Sequence, residues 1–203
     1  MYFSNHKGVN IDITHRCALE CLSCQRSYYT SINEKVPGLD MTIEDFKKVV
    51  NFFKIISFCG SRSDPVHHPH FIEFLRICNK KNINAIIHNA SSAKPKNWYI
   101  KAFKANPNAK WVFGIDGMPE QSHLYRINQD GKKLFEIMLE SKKHLSTKPQ
   151  WQYIAFEYNI DKIEDAKKMA KYHDLEFLLI LSSRWDNNSK HLKPKDPKFL
   201  PNG

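Results

Sequence analysis

Residues 9–24 read VNIDITHRCALECLSC, an alternating apolar start that leads into three cysteines within eight residues. The alternation predicts a strand over Val9–Thr14, followed directly by a loop. Cys17, Cys21 and Cys24 therefore leave the carboxyl end of one strand in a single short segment. Thiolates are soft ligands suited to iron–sulfur clusters and to zinc, so this segment predicts a metal site.

Further short apolar runs follow along the chain and alternate with amphipathic stretches of helical length. The predicted strands after the first are Ile55–Cys59, Ile83–His88, Lys110–Ile115, Trp151–Glu157 and Glu176–Leu181. The predicted helices are Ile43–Lys54, Phe71–Lys81, Asn97–Lys104, Lys132–His144 and Lys162–His173. Strands that alternate with helices indicate right-handed βα units and a parallel sheet. A full eight-unit barrel takes about 250 residues. The 203 residues of this chain therefore predict an α/β fold, a partial (β/α)6 barrel in a single domain.

Several helix starts carry local signals. Thr42 with Asp45, and Asp161 with Glu164, resemble capping boxes, and Pro69 suits the first turn of the second predicted helix. We expect the core domain over residues 1–182. Residues 183–203 are polar and rich in proline and lysine, and we expect them to form a tail or an edge segment.

Composition excludes some classes of protein and leaves others open. The net charge of +10 is compatible with an anionic partner such as nucleic acid, but the lysines are spread along predicted helices, which favours a solvated surface. No apolar run reaches the roughly 18 residues that span a membrane. The N-terminus lacks the pattern of a signal peptide. Five cysteines, three of them clustered, are not a secreted disulfide framework, so we expect a cytoplasmic protein without a membrane partner.

On spacing alone, the cysteine segment leaves three interpretations open. An iron–sulfur site is favoured because three sulfurs in one loop can converge. A structural zinc site normally needs four ligands, and His15 is poorly placed to be the fourth. Plain structural thiols are the third interpretation.

The spacing Cys17-x3-Cys21-x2-Cys24, with Thr14 and Arg16 before it, resembles the signature of the radical S-adenosylmethionine (SAM) superfamily. Ser23 departs from the aromatic residue that many members carry there. The resemblance implies a partial barrel of six units, in agreement with the strand count. It also implies that the three thiolates bind a 4Fe–4S cluster and that SAM occupies the open iron. SAM is then cleaved to methionine and a 5′-deoxyadenosyl radical, which abstracts hydrogen from a substrate.

The strand ends supply further candidate residues, because chemistry in such folds collects at the carboxyl ends of the strands. After the second strand, Gly60 and Asp64 stand where the family carries a Gly-Gly-Glu form, and the resemblance implies that Asp64 binds the SAM ammonium. Helix capping by Asp64 is the alternative. The remaining candidates for SAM binding follow later strands and also suit ordinary turns: Asn89, Ser91, Asp116, Asn159 and Ser182. We interpret three nearby histidines as loop residues rather than metal ligands: His67, His68 and His70.

The expected function is that of a small, single-cluster radical SAM enzyme. Cys59 and Cys78 are interpreted as buried small residues, and no cysteine follows Cys78 to build a C-terminal auxiliary cluster. The region after the fourth strand resembles that of peptide-modifying members and favours a peptide or small-molecule substrate. RNA or a nucleotide is the alternative substrate, and a non-catalytic metal-binding module is the alternative of another class. The resemblance implies an electron-donating reductase such as flavodoxin or ferredoxin. The substrate, the reaction subclass, the fate of SAM and the oligomeric state stay open.

Overall fold

The computed structural model describes residues 7–201 and contains one parallel sheet of six strands. The strands are β1 Gly8–Ile11, β2 Ile55–Phe58, β3 Asn84–Asn89, β4 Lys110–Gly114, β5 Gln150–Ala155 and β6 Glu176–Leu181. They lie in chain order, and every neighbouring pair is parallel. This arrangement confirms the predicted α/β partial barrel of six units. Residues 1–6, on which most of the signal-peptide expectation rests, lie outside the described residues.

Six helices accompany the strands: α1 Gln25–Ser31, α2 Ile43–Phe52, α3 Phe71–Lys80, α4 Lys96–Ala105, α5 Gly131–Ser141 and α6 Ile163–Tyr172. The five predicted helices are confirmed, with ends that shift by at most three residues. Helix α1 was not predicted. None of its residues is buried, so its sequence lacks the apolar periodicity from which a helix is predicted.

Local signals at helix starts were right in one case and wrong in two. Thr42 caps α2 by accepting a hydrogen bond from the backbone N–H of Asp45, as predicted. Asp161 does not cap α6, because it lies within a short 3₁₀ turn and Lys162 occupies the capping position. Pro69 lies outside α3, which begins at Phe71 with His70 as its cap.

Four strands end earlier than predicted: β2 and β4 by one residue, and β1 and β5 by more, because the exits of β1 and β5 are drawn into other contacts. Strand β1 ends at Ile11, and the Asp12 carboxylate turns to accept a hydrogen bond from the backbone of Ser61. Strand β5 ends at Ala155, since the N–H of Phe156 donates to the side chain of Asn159 in a turn. Both exits are therefore shaped by a polar side chain.

The core lies between the sheet and the helices. On β4 and β5, alternate side chains such as Trp111, Phe113, Trp151 and Tyr153 are fully buried against the helix layer. The intervening positions face the interior of the partial barrel, so Gly114 on β4 and Gln152 on β5 line cavities there. Because successive side chains of a strand point to opposite faces of the sheet, one face packs the core and the other lines the candidate site.

The segment after β6 folds back over the end of β5. The N–H of Glu157 donates to the carbonyl of Leu192 at 2.8 Å, and its carboxylate accepts a hydrogen bond from the N–H of Lys195 at 2.8 Å. Leu192 is buried. Between residues 7 and 201, no helix has both the length and the apolar character needed to cross a membrane.

Trp151 offers a test of the core. Its ring packs against Phe135 and Phe177, and its Nε1–H donates to the carbonyl of Ile115 at 2.8 Å. We expect Trp151→Phe to lower the free energy of unfolding by about 1–3 kcal/mol, because it opens a cavity and leaves a buried acceptor unpaired. Urea denaturation measures this loss. Trp185→Phe, at a half-buried position, is the control, and an equal loss in both variants would contradict the expectation.

Candidate functional site

The three cysteines after β1 line one cavity of about 250 Å³ at the carboxyl end of the sheet. Further lining residues come from the exits of β2, β3, β4 and β6 and from β5, and they include Gly60, Ser63, Asp64, Ala90, Tyr125, Arg126, Gln152 and Arg184. A smaller cavity of about 170 Å³ shares several of these residues and adds Cys59, His88, Asn89, Val112 and Gly114. The structure therefore brings Cys17, Cys21 and Cys24 together with Gly60 and Asp64.

The cysteine segment is fixed by backbone hydrogen bonds to distant parts of the chain. The N–H of Glu20 donates to the carbonyl of Ile127 at 3.1 Å, and the N–H of Leu22 donates to the carbonyl of Tyr125 at 3.4 Å. These two bonds flank Cys21. The residue before Cys17 is held in the same way, because its carbonyl accepts a hydrogen bond from the N–H of Asp64 at 3.1 Å.

Helix α1 adds side-chain anchors to the same segment. The guanidinium of Arg26 donates to the carbonyls of His15 and Arg62, and the hydroxyl of Ser27 donates to the carbonyl of Cys21 at 2.7 Å. Cys24 is the N-cap residue of α1, and its N–H donates to the carbonyl of Cys21 at 3.0 Å. The backbone around all three thiols is thus ordered by the protein itself.

The three thiols are free of disulfides and make few hydrogen bonds of their own. Cys17 accepts one long hydrogen bond from the N–H of Leu19, and Cys24 donates one to the carbonyl of Ser61 at 3.9 Å. Burial raises the pKa of Cys17 to about 12 and that of Cys21 to about 11, so both thiols are protonated near neutral pH.

The side chains that line the cavity decide which kind of metal group fits there. Within the described residues, no three His, Cys, Asp or Glu side chains are arranged to hold a single metal ion. Three soft sulfur donors on one cavity fit an iron–sulfur group, in which each thiolate binds a different iron.

Asp64 is buried and ties the exit of β2 to the exit of β3. Its Oδ1 accepts a hydrogen bond from the N–H of Val66, and its Oδ2 accepts from the N–H groups of Ala90 at 2.7 Å and Ser91 at 2.9 Å. The capping role is therefore present, on a short 3₁₀ turn that begins at Pro65. Burial raises the pKa of Asp64, and the three N–H donors oppose that rise. A carboxylate has about four acceptor positions, and among residues 7–201 Oδ1 has only the one partner, so its second acceptor position is open there.

Gly60 is required by the closeness of the neighbouring backbone. A Cβ atom at this position would lie 2.6 Å from the carbonyl oxygen of Ser63, which no side chain can tolerate. Asp12 holds the same turn, since its carboxylate accepts hydrogen bonds from the N–H of Ser61 at 3.1 Å and from the hydroxyl of Ser63. Sequence reasoning missed Asp12, although an acidic residue at the exit of an apolar strand was a usable signal.

Arg126 lines both cavities, and Asp116 holds it in place. The Nε of Arg126 lies 2.7 Å from Oδ2 of Asp116, which is fully buried. The guanidinium lies against Gly114, where a Cβ would come within 2.8 Å of Nη2. Burial alone would lower the pKa of Arg126, but the charge of Asp116 raises it above its ordinary value, so the side chain stays cationic. Oδ1 of Asp116 accepts a hydrogen bond from the N–H of Ile154 at 2.9 Å.

The other predicted residues occupy different places. Asn89 lines the smaller cavity, and its Oδ1 accepts a hydrogen bond from the N–H of Ser91. Asn159 is buried and closes a turn, because its Nδ2 donates to the carbonyl of Ile154. Ser182 accepts a hydrogen bond from the N–H of Arg184. Four of the predicted residues line neither cavity: Ser91, Asp116, Asn159 and Ser182.

Two expectations about single residues can be compared with the structure. Cys78 is buried as predicted, but Cys59 is exposed and lines the smaller cavity beside His88, so its interpretation as a buried residue was wrong. The reason is its position one residue past β2, where the side chain faces the barrel interior.

Among the nearby histidines, Nε2 of His67 lies 2.9 Å from the hydroxyl of Ser91, and Nε2 of His68 lies 3.0 Å from the carbonyl of Met41.

Comparison with solved structures identifies the fold. The chain superposes on SuiB of Streptococcus suis bound to S-adenosylmethionine with a TM-score of 0.73 and 11% identity, over 94% of this chain and 44% of that one. SuiB bound to the precursor peptide SuiA gives a TM-score of 0.71, with 11% identity over 94% of this chain and 42% of that one. Methylornithine synthase, PylB, gives a TM-score of 0.68 and 13% identity, over 96% of this chain and 60% of that one. The chain thus spans less than half of SuiB. No protein-family model and no curated protein sequence matches it.

Removing one charge of the buried ion pair between Asp116 and Arg126 should lower the stability of the protein strongly. We expect Asp116→Asn to lower the free energy of unfolding by about 3–5 kcal/mol, because the charge of Arg126 is left buried without a partner. The double variant Asp116→Asn/Arg126→Gln should recover part of this loss. Urea denaturation of the parent and both variants measures it. A single variant as stable as the parent would show that the pair is not a structural constraint.

Proposed function

We propose that the chain is a radical SAM enzyme. The observation that carries this proposal is that Cys17, Cys21 and Cys24, with the spacing of that superfamily, line one cavity at the carboxyl end of a six-strand partial barrel. The fold is the one that the resemblance predicts. It is shared with SuiB, which was crystallised with SAM, and this supports SAM as the ligand.

In this proposal the three cysteines hold a 4Fe–4S cluster. A bound cluster would supply the single electron needed for reductive cleavage of SAM, and the resemblance implies that hydrogen abstraction from the substrate would follow. The protein orients the reactants and excludes water from the cavity. The backbone bonds on either side of Cys21 hold its thiol toward the cavity before any metal arrives.

SAM carries an ammonium and a carboxylate, and the cavity offers a partner for each. The free acceptor position on Oδ1 of Asp64 suits the ammonium, and the guanidinium of Arg126 suits the carboxylate in a charge-assisted contact. Gly60 allows the ligand to approach the backbone closely.

The remaining predicted residues divide into two groups in this proposal. Asn89 contacts the ligand from the smaller cavity. Four residues act by positioning, since they support the strand exits without reaching a cavity: Ser91, Asp116, Asn159 and Ser182.

We propose a peptide or a small molecule as the substrate. The structure of SuiB with its precursor peptide supports a peptide as one possibility for this fold. The smaller cavity is polar, with His88, Asn89 and Gln152 in its lining, and it suits a compact polar group beside the SAM site. The expected electron donor is a flavodoxin or ferredoxin, and the expected compartment is the reducing cytoplasm, where thiols persist.

RNA or a nucleotide is the second candidate substrate, and the arginines of the larger cavity are the observation in its favour. Arg26, Arg62, Arg126 and Arg184 all line that cavity. Arg26 is bound to two carbonyls and Arg126 to Asp116, so fewer of these charges are free than their number suggests. A mass shift in RNA rather than in peptide after turnover would decide for this candidate.

The first experiment is anaerobic reconstitution with iron and sulfide, followed by SAM and dithionite. We expect the parent protein to bind iron and sulfide and to release 5′-deoxyadenosine, measured by liquid chromatography. The variant Cys17→Ala/Cys21→Ala/Cys24→Ala should lose both properties, because it lacks every proposed ligand. Cys78→Ala is the matched control, since Cys78 is buried under the sheet and lines neither cavity. It should keep both.

Two outcomes contradict the proposal. Zinc that copurifies stoichiometrically, with no iron–sulfur absorbance after reconstitution, would identify a non-catalytic metal-binding module. A cluster that forms but neither binds SAM nor cleaves it would remove the enzymatic function.

A further inference from the structure

A basic groove of about 850 Å³ lies beside the cysteine segment, outside the barrel interior. Its lining includes Arg16, Cys17, Arg26, Lys35, Leu39 and Lys94, and none of its lining residues belongs to a strand. The basic groove and the cysteine cavity share only Cys17 and Arg26. Cys17 can therefore be approached from two sides.

The charge of the basic groove is unbalanced. No Asp or Glu contributes to its lining, and the nearest paired acid is Asp40, which lies 2.8 Å from Arg16. In the described part of the chain, no salt bridge joins Arg26, Lys35 or Lys94 to a carboxylate. Three other lysines, by contrast, pair with an acid one turn away on their own helix: Lys47 with Glu44, Lys48 with Asp45, and Lys167 with Glu164. The basic groove is thus a local cationic surface, distinct from the lysines that pair with acids elsewhere on the protein.

The basic groove also has an apolar element. Leu39 is 87% exposed, more than any other large hydrophobic side chain that the structure describes, and it lies next to Pro37 and Val36 in the lining. A cationic surface with an exposed leucine suits a small protein interface better than a nucleic acid backbone, because the leucine gains by leaving water. Electron-transfer encounters use interfaces of this small size.

We propose that the basic groove docks an acidic one-electron carrier protein of the flavodoxin or ferredoxin class. This rests on the proposed function, in which SAM and substrate fill the barrel interior, so an electron donor has to approach from another side. The groove provides that side, because Cys17 lines both surfaces. One electron leaves the reduced carrier and enters the metal group at Cys17, and no atom or proton is transferred.

The test reverses two charges that belong to the basic groove alone. Lys35 and Lys94 line the groove and do not line the cysteine cavity. The variant Lys35→Glu/Lys94→Glu therefore leaves the proposed metal and SAM contacts intact. Lys101→Glu/Lys168→Glu is the matched control, with the same change of net charge at exposed lysines on α4 and α6.

Two readouts are compared for the reconstituted parent and both variants. The first is the affinity for purified flavodoxin, measured by calorimetry at low and at high salt. We expect the groove variant to bind at least about tenfold more weakly at low salt, with a reduced salt dependence, and the control to stay within about twofold. The second is 5′-deoxyadenosine formation driven by flavodoxin or by dithionite. The groove variant should lose the flavodoxin-driven rate and keep the dithionite-driven rate.

Several results would overturn the docking proposal. These are unchanged flavodoxin binding by the groove variant, an equal loss in the control, or loss of the dithionite-driven rate as well. A single-stranded RNA that binds the parent but not the groove variant, with flavodoxin binding unaffected, would assign the groove to nucleic acid. If the parent neither binds SAM nor releases 5′-deoxyadenosine with dithionite, the proposed function fails by itself, and the flavodoxin affinities still decide the role of the groove.

Discussion

The buried ion pair between Asp116 and Arg126 is the constraint on which the site depends. Taking two charges out of water is costly, and only a close partner and further hydrogen bonds offset that cost. Asp116 meets this condition through Arg126 and through the N–H of Ile154, so one carboxylate joins the exits of β4 and β5. The residues beside Arg126 then bind the backbone on both sides of Cys21. The position of a thiol is in this way set by charges in a different part of the chain.

A second buried carboxylate, that of Asp64, joins the exits of β2 and β3 in the same way. Asp64 accepts three backbone N–H groups from two loops, and its own N–H donates to the carbonyl of Arg16. Strand exits in a parallel sheet leave backbone groups that need partners, and buried groups are nearly always paired. The same residue types that bind ligands are therefore also needed for structure. Asn159 and Ser91, predicted as ligand contacts, accordingly use their side chains in hydrogen bonds within the protein.

Sequence reasoning predicted the fold well because each buried strand is a short apolar run and each packed helix has an apolar face. It missed α1, which has no such face, and it misplaced the start of α6, where Asp161 suits a cap but a 3₁₀ turn intervenes. At the site, the spacing of the cysteines was enough to find them. The partners of Asp12 and of Asp116 were out of reach, because the contacts of Asp12 with Ser61 and of Asp116 with Ile154 join residues far apart in sequence. Such contacts depend on how the βα units stack, which no local pattern encodes.

Helix α1 is the least stable element beside the three thiols. It has seven residues, none of them buried, and isolated helices of that length are unstable in water. Its order therefore comes from the few anchors that Arg26 and Ser27 make with the loops around the thiols. Segments with so little buried surface open locally at low free-energy cost while the rest of the domain stays folded. The wall beside Cys24 is thus the part of the cavity whose local opening costs the least free energy while the barrel stays folded.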